Sequence, residues 1–418
     1  MDIIPYNINL FEDGDLGSLK EFEEILNEIP YQRLIQTLDA ERKNGRKDYS
    51  NESLFRVYMA RFIFKHPTIQ SVIDELKRNP SLRILCRIEP KIKKDGTKQL
   101  APDNAVFTRF EARLKKHQTL VDDIFETMNE ELATLLDDYG ETLALDGKIV
   151  ESYANRPSKK EKADGRRELD ADYTQKKYTA TTDKGEIVIK KQTYFGFRIH
   201  LLVDTKYEQP LMFQVTAASK SEKTVAKKMV SELPSWLTKR ANYLMADRGY
   251  DGRPLQEKIE NQGIIPIIDI CNMWKNGEQT KQYKDTDFVY TYNGQVFYVD
   301  EEGRLHPAYY KGYHKASNTL RYETHPKDGI GIKKVAIKRE EDARIFNIVA
   351  RDSKKFERYY KQRTAVERVN GRIDRDYLFE NHTIRGLEKM KLRVSLCFIT
   401  MLARKKVEIK TEKARQAA

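Results

Sequence analysis

The chain has 418 residues, enough for roughly two to four domains, and it carries a net charge of +12 with 33% charged residues. This basic excess favours a polyanionic partner, nucleic acid first and an acidic membrane surface second. The chain has no apolar run of roughly 18 residues, no signal peptide and only three scattered cysteines, so we exclude membrane-spanning and disulfide-stapled secreted classes and expect a cytoplasmic protein.

The first third of the chain is predicted to be helical. Residues 1–48 are interpreted as a leader with one helix over about residues 18–42, and residues 49–140 as an all-helical domain. Within that domain, apolar residues recur at helical spacing in five short segments, and the fourth has an outward basic face. Such a series is typical of a helix-turn-helix DNA reader, and equally of a helical bundle with a charged, solvated surface.

At Leu143 the pattern changes to strands. LALDGKIV predicts a first strand, residues 151–185 a polar surface loop, and TYFGFRIHLLVD and PLMFQVTAA two further strands. A helix, a strand, a helix and a strand follow, the last being IIPIIDI. The order predicts an α/β domain with an antiparallel start, made of residues 141–270 and 345–404.

Residues 271–344 are predicted to form a β-rich insertion in that domain. In DFVYTYNGQVFYVD, the pair Asn293-Gly294 lies between two alternating runs and predicts a hairpin with a two-residue turn. RIFNIVA is interpreted as the return to the α/β domain. One helix is predicted over residues 353–377 and another over 384–404, and residues 405–418 are interpreted as a loose basic tail.

Three acids on three elements predict a divalent-metal site. Asp146 ends one strand-like run and Asp247 ends another, and ligand sites in α/β sheets lie beyond the carboxyl ends of strands. A single aspartate at a strand end is more often a turn residue than a ligand. We interpret the nearby Asp251 as a turn or cap residue. Glu367 supplies a third acid from the late helix. Oxygen ligands suit two Mg²⁺ ions about 4 Å apart, with Mn²⁺ as an expected substitute.

Tyr360, Arg363 and Glu367 follow one another at helical spacing and share one face of that helix. Arg363 can bind a phosphate through two N–H groups, and Tyr360 can bond a phosphate or stack on a base. Alone, the Arg–Glu pair would be a plain surface salt bridge, but beside two strand-end aspartates we assign it to substrate. The residues assigned to DNA contact are Tyr360, Arg363, Arg372, Arg375, Lys148 and Arg248.

Taken together, these motifs resemble the DDE transposases of bacterial insertion sequences that carry a Tyr-x2-Arg-x3-Glu pattern. The matching stretches are LALDGK, YFGFRIHLLVD, ADRGYDG and YKQRTAVER, and IFKHPTIQSVIDELKRNPSLRILC is similar to the N-terminal helical domain of that group. The resemblance implies an α/β RNase H-like core with a mixed five-stranded sheet. It places Asp146 on the first strand, Asp247 after the fourth and Glu367 on a late helix, with a β-rich insertion between the last two.

The resemblance also implies an activity. The protein is expected to bind transposon ends in double-stranded DNA, hydrolyse them to free 3′-OH groups and join those ends to target DNA. A homodimer on DNA, associated with the bacterial nucleoid and with no membrane partner, is expected. Three alternatives stay open: an RNase H-like nuclease or resolvase without strand transfer, a catalytically idle DNA-binding derivative, and a metal-dependent hydrolase that binds no nucleic acid.

The sequence departs from the family pattern at one position. The seventh residue after Glu367 is expected to be basic and is Asp374, so either Arg372 or Arg375 takes that role or this end of the site differs. Some relatives hold a flipped base with an aromatic residue of the insertion. The candidates for this role are Trp274, Tyr309, Tyr310 and Tyr313, and packing in a core is the competing interpretation of each. His200 is either a residue that supports the active site or a core histidine.

Overall fold

Helices build the N-terminal region of the computed structural model, which describes residues 19–42, 48–157, 166–181, 187–275 and 277–417. A short hairpin of β1 (Lys91–Ile92) and β2 (Lys98–Gln99) interrupts them. The helices are α1 (Leu19–Asn27), α2 (Gln32–Ala40), α3 (Asn51–Ile63), α4 (Ile69–Arg78), α5 (Pro80–Leu85), α6 (Asn104–Lys116) and α7 (Gln118–Leu135).

The prediction of one helix over residues 18–42 is wrong, because Pro30 separates α1 from α2. Proline lacks the N–H donor of a helix interior and its ring clashes with the preceding turn. The two helices are not a detached leader in the described range. Phe22 and Leu34 are buried in the same core as Leu54 of α3, so this segment contributes to the helical region.

A six-stranded mixed sheet forms the α/β region. Its order is β4-β5-β3-β7-β8, with β6 also paired to β5; β5 runs antiparallel to β3, β4 and β6, and β3, β7 and β8 are mutually parallel. The elements are β3 (Thr142–Glu151), β4 (Asp172–Thr181), β5 (Ile187–Asp204), β6 (Pro210–Ala217), α8 (Glu222–Ser231), α9 (Ser235–Thr238), β7 (Tyr243–Ala246), α10 (Arg253–Asn261) and β8 (Ile265–Ile268).

The five predicted strands are present, and β4 adds a sixth. It lies in the stretch 151–185, which we predicted to be a polar loop, so that prediction is wrong for residues 172–181. The sequence DYTQKKYTAT lacks the apolar alternation of a half-buried strand. Gln175 to Lys177 are exposed, and the strand is held by its pairing with β5. Residues 158–165 and 182–186 of the predicted loop lie outside the described ranges.

The predicted β-rich insertion is an antiparallel sheet in the order β14-β13-β12-β11-β10-β9, with a hydrophobic core of its own. The hairpin predicted at Asn293-Gly294 is not closed by a two-residue turn. Thr291 N–H donates to the Gln295 carbonyl at 2.9 Å, so three residues form the loop, with Gly294 at φ +84°. The strands are β9 (Lys281–Gln282), β10 (Phe288–Tyr290), β11 (Val296–Val299), β12 (Leu305–His314), β13 (Thr319–Thr324) and β14 (Lys334–Lys338).

Three helices close the chain: α11 (Lys354–Tyr360), α12 (Thr364–Tyr377) and α13 (Leu387–Ala417). The single helix predicted over residues 353–377 is wrong, since a 3-10 turn at Lys361–Arg363 separates α11 from α12. RIFNIVA forms no strand; Phe346 packs in the insertion core, whereas Val349 packs with Met245 of β7.

The predicted loose tail is also wrong, because α13 continues through residue 417. Ile409 is buried, and the Lys406 ammonium lies 3.0 Å from the Glu28 carboxylate. The helix contacts α1, α3, α6 and α7 as well as β6, so it joins the helical region to the sheet. Across the described ranges, none of the helices combines the length and apolar character needed to cross a membrane.

Candidate active site

The two strand-borne acids lie side by side at the edge of the sheet. Parallel pairing between β3 and β7 ends at Leu145 opposite Ala246, and the next residues are Asp146 and Asp247. Neighbouring strands are about 5 Å apart, so the two carboxylates start from adjacent backbone positions. Our expectation that Asp146 ends its strand is wrong: β3 continues to Glu151 in pairing with β5, and only its pairing with β7 stops there.

Electrostatics make this pair of acids unfavourable without a counter-charge. Burial raises the pKa of Asp146; the Gly147 N–H opposes that shift, and the neighbouring Asp247 raises the pKa further. Arg363 and Lys176 lower it by smaller amounts. Two close, half-buried carboxylates form an arrangement that a bound cation stabilises.

Helix α12 brings Glu367 to the same face of the sheet. Side chains two residues apart on a strand point to one face, so Lys148 shares the face of Asp146, and its ammonium lies 2.6 Å from Asp374 of α12. Glu367 itself is turned to Arg363, with 2.8 Å between the guanidinium and the carboxylate, and its side chain is 52% exposed. Within the described ranges, no three acidic, histidine or cysteine side chains are close enough to hold one metal ion.

The Arg363 guanidinium interacts electrostatically with both Asp146 and Glu367. Burial disfavours its charge, but Glu367, Tyr360 and Asp146 together raise the pKa of the guanidinium above its ordinary value. The guanidinium also lies 5.7 Å from the centre of the Tyr360 ring. The 3-10 turn therefore preserves the shared face of Tyr360, Arg363 and Glu367 that the spacing predicted.

The other residues assigned to DNA contact are engaged with protein acids. Lys148 is 11% exposed and pairs with Asp374 and, at 3.1 Å, with Glu380. The Arg248 guanidinium lies 3.0 Å from Asp269. These two cations lie near the acids but are neutralised within the protein.

Arg372 and Arg375, the candidates to replace a basic residue at Asp374, differ in exposure. Arg372 donates to the backbone carbonyl of Glu208 and is half-buried. Arg375 is 73% exposed and pairs with Asp376. Beside Asp374, where the family pattern has a basic residue on the helix, the positive charge is supplied by Lys148 of β3 and not by a residue of α12.

Sequence reasoning missed a third carboxylate near the two aspartates. Glu222, the first residue of α8, pairs with Arg198 of β5 at 2.6 Å. Burial raises the pKa of Glu222, Arg198 lowers it, and Asp146 and Asp247 raise it again. A Cβ on Gly147 would lie 2.7 Å from the Glu222 carboxylate, so this pair requires a glycine beside Asp146. The glycine after Asp146 was the only available signal.

Asp251 ends the 3-10 turn Arg248–Tyr250, in agreement with the prediction of a turn or cap residue, but its side chain has a further structural role. It is fully buried, and it accepts hydrogen bonds from the Arg344 guanidinium at 2.8 Å and from the Cys271 N–H at 2.9 Å. Cys271 and Arg344 begin and end the insertion. Asp251 therefore joins both ends of the insertion to the loop that carries Asp247.

Packing or a hydrogen bond accounts for the remaining candidates other than Tyr309. His200 is buried and hydrogen-bonded to Thr216 at 3.0 Å, and burial lowers its pKa to about 4, as in a core histidine. Trp274 and Tyr310 pack against the insertion core. Tyr313 donates to Asn318 at 3.0 Å, whereas Tyr309 is 48% exposed.

Comparison with known proteins shows what kind of protein has this arrangement. The family model of the transposase DDE domain matches residues 141–403, and a model described as a transposase domain (DUF772) matches residues 11–113. The first match alone covers more than half of the chain. A search of curated proteins found no match.

Two solved structures share distant similarity. The piggyBac transposase synaptic complex with hairpin DNA is 11% identical with a TM-score of 0.38, and the match covers 93% of this chain and 73% of that one. The Mos1 transposase paired-end complex with the left transposon end is 12% identical with a TM-score of 0.18, covering 54% and 60%. The sequence matches carry the assignment, and the chain belongs to the DDE transposase family as a DNA transposase with an RNase H-like core.

Proposed function

We propose that this transposase binds its transposon ends in double-stranded DNA, cleaves them by metal-dependent hydrolysis and joins the 3′-OH ends to target DNA. The observation that supports this proposal best is the adjacency of Asp146 and Asp247 at the end of their parallel pairing, on the face that α12 covers with Glu367. An acid pair of this kind has no evident structural benefit, since each carboxylate raises the cost of the other.

The donor set fits a hard divalent cation. We infer that Asp146, Asp247 and Glu367 would hold two Mg²⁺ ions, with Mn²⁺ as a substitute, because carboxylate oxygens are the ligands these ions take. When bound, the ions supply Lewis acidity and lower the pKa of a coordinated water. Glu367 has to leave Arg363 to join the two aspartates, so ligand binding and rearrangement of that ion pair are coupled.

The chain's own residues would then orient the DNA. Arg363, once released by Glu367, presents a planar guanidinium that can bind a phosphate through two N–H groups. Tyr360 holds the other side of that guanidinium and can bond to the same strand. Arg375 and Arg248 are exposed enough to contact the DNA backbone. Lys148 and Arg372 are held by Asp374 and by the Glu208 carbonyl, so they position parts of the protein and do not contact DNA.

We assign residues 49–140 to end binding, residues 141–270 and 345–404 to catalysis, and residues 271–344 to an inserted module. Helices α1 and α2 and the end of α13 belong with the helical region by their packing. Joining two ends requires two active sites on one DNA assembly, so we propose a homodimer on DNA, associated with the nucleoid of a bacterial cell.

One assay separates the proposal from its rivals. The protein is incubated with Mg²⁺, a DNA fragment that includes the sequences flanking its gene, and a target plasmid. Joined products are expected, and EDTA should abolish them. Cleavage without joining would instead identify a nuclease or resolvase, binding without cleavage an idle derivative, and no binding at low salt a hydrolase of another kind.

Replacement of Arg363 by lysine should lower the cleavage rate by about 10- to 100-fold while DNA binding changes little. Lysine keeps the charge but lacks the planar fork that meets Glu367, the Tyr360 ring and a phosphate. Single-turnover cleavage measures the effect. Arg368→Lys, on the next exposed position and paired with Glu208, is the matched control and should cleave normally. Equal rates for both variants would contradict a substrate role for Arg363.

A further inference from the structure

Strand β4 and the first half of β5 form a two-stranded ribbon that leaves the core of the sheet. We call this the basic ribbon and define it by residues Tyr173–Lys177 and Val188–Phe195. It leaves the core where the Tyr173 and Phe195 rings meet at 4.8 Å between their centres. Gln175 to Lys177 and Ile189 to Thr193 are all exposed, so neither face of the ribbon is covered there.

The ribbon carries positive charge without any neutralising acid of its own. No Asp or Glu occurs from Tyr173 to Lys177 or from Val188 to Phe195. None of the lysines on it forms an ion pair with a described residue, in contrast to Lys148 of the same sheet. These lysines are Lys176, Lys177, Lys190 and Lys191.

The pairing register of the ribbon adds a second observation. Lys177 lies directly opposite Lys191, and Lys176 lies opposite Gln192. Like charges on directly opposed positions destabilise an antiparallel pair. A two-stranded ribbon exposed on both faces is only marginally stable by itself. An anionic partner along the ribbon would offset both costs.

The ribbon also points back to the candidate active site. Arg198, the partner of Glu222, donates to the Thr174 hydroxyl at 3.1 Å, which ties the base of β4 to the acids. A duplex with a phosphate at the acids would therefore continue past the lysines of the ribbon.

We propose that the basic ribbon is a DNA-binding arm that contacts the phosphate backbone of the duplex held at the active site. This proposal rests on the proposed function, because the same duplex must be the substrate. A two-stranded ribbon has the width that the major groove of B-DNA admits, and lysines on both of its faces can reach the phosphates on both sides of that groove.

Salt-dependent DNA binding tests the ribbon. The probe is a labelled duplex of about 30 base pairs, roughly three helical turns. Each lost phosphate contact lowers the slope of log affinity against log salt by about 0.9. Lys190→Ala/Lys191→Ala should therefore reduce the slope by about 2, Lys190→Arg/Lys191→Arg should keep it, and Lys228→Ala/Lys239→Ala, on α8 and beside α9, should also keep it.

Three results would overturn the ribbon assignment. If the slope of the ribbon variant were unchanged while the wild-type protein bound the duplex normally, the ribbon would not contact DNA, and the proposed function would be unaffected. A ribbon variant whose oligomeric state changes without DNA, by sedimentation, would identify the ribbon as a contact between copies of the chain. Wild-type protein that bound no duplex would overturn both proposals together. Thermal unfolding of each variant confirms that these exposed substitutions leave the fold intact.

Discussion

Asp146→Asn is expected to abolish metal-dependent cleavage and, at the same time, to stabilise the metal-free protein. The asparagine keeps the shape of the side chain but removes the charge that would hold a cation. Loss of a metal ligand at a phosphoryl-transfer site removes several kcal/mol of transition-state stabilisation, so the rate should fall by about a thousandfold or more. DNA binding at matched salt should be unchanged.

The gain in stability follows from the direction of the pKa shift. The pKa of Asp146 is raised in the folded protein, chiefly by burial and then by Asp247, so the folded state binds the proton more tightly than the unfolded chain. Stability is then lost as the pH rises from the ordinary aspartate value, near 3.8, through the folded pKa. At neutral pH the charged Asp146 is a liability that asparagine removes.

Thermal unfolding with and without Mg²⁺ measures both halves of this prediction. The variant should unfold at a higher temperature than the wild type in EDTA, and Mg²⁺ should raise the unfolding temperature of the wild type more than that of the variant. Asp123→Asn, an exposed aspartate of α7, is the control and should change neither stability nor cleavage. If the Asp146→Asn variant still cleaved DNA with Mg²⁺, Asp146 would not be a ligand of the proposed metal site.

Asp251→Ala should destabilise the protein by about 3–5 kcal/mol, because breaking a buried ion pair leaves an uncompensated charge. Asp251 is fully buried, and its partner Arg344 is 9% exposed. Arg351 would also be affected: burial lowers its pKa to about 10, and Asp251 is the first charge that opposes this shift. Urea unfolding, followed by fluorescence, measures the loss.

Two comparisons decide whether the buried pair is the cause. Glu232→Ala, which removes a partner 3.9 Å from Lys228 on the surface, should cost less than about 0.5 kcal/mol. Asp251→Leu/Arg344→Met, which removes both charges, should recover much of the stability lost by Asp251→Leu alone. If the double variant were the less stable one, the pair would not be the source of the effect.

The sequence was sufficient for the parts of the fold that have apolar patterns. LALDGKIV and YLMAD mark buried parallel strands, and Asp146 and Asp247 follow the end of their parallel pairing, although β3 itself continues beyond Asp146. The parts that failed have no such pattern. Strand β4 has a polar sequence and is exposed at Gln175 to Lys177, and the turn at Lys361–Arg363 leaves the helical spacing almost unchanged, so neither could be recognised.

Charge partners were the second limit. A sequence contains no signal that Lys148 meets Asp374, since the two residues are far apart in the chain and meet only because α12 crosses β3. The same holds for Asp251 and Arg344, and for Glu222 and Arg198. We therefore assigned Lys148 and Arg372 to DNA contact and Asp251 to a turn or cap, although each side chain is held by distant parts of the chain.

The long helix α13 has a genetic consequence. Because its buried residues fill the space between the helical region and the sheet, the codons for residues 387–417 encode the middle of the molecule. A nonsense or frameshift mutation just before Leu387 would therefore not yield a shortened protein that still binds the transposon ends and inhibits the full-length transposase. It would yield an unfolded chain that proteases degrade, so transposon copies with such mutations should not inhibit transposition of intact copies.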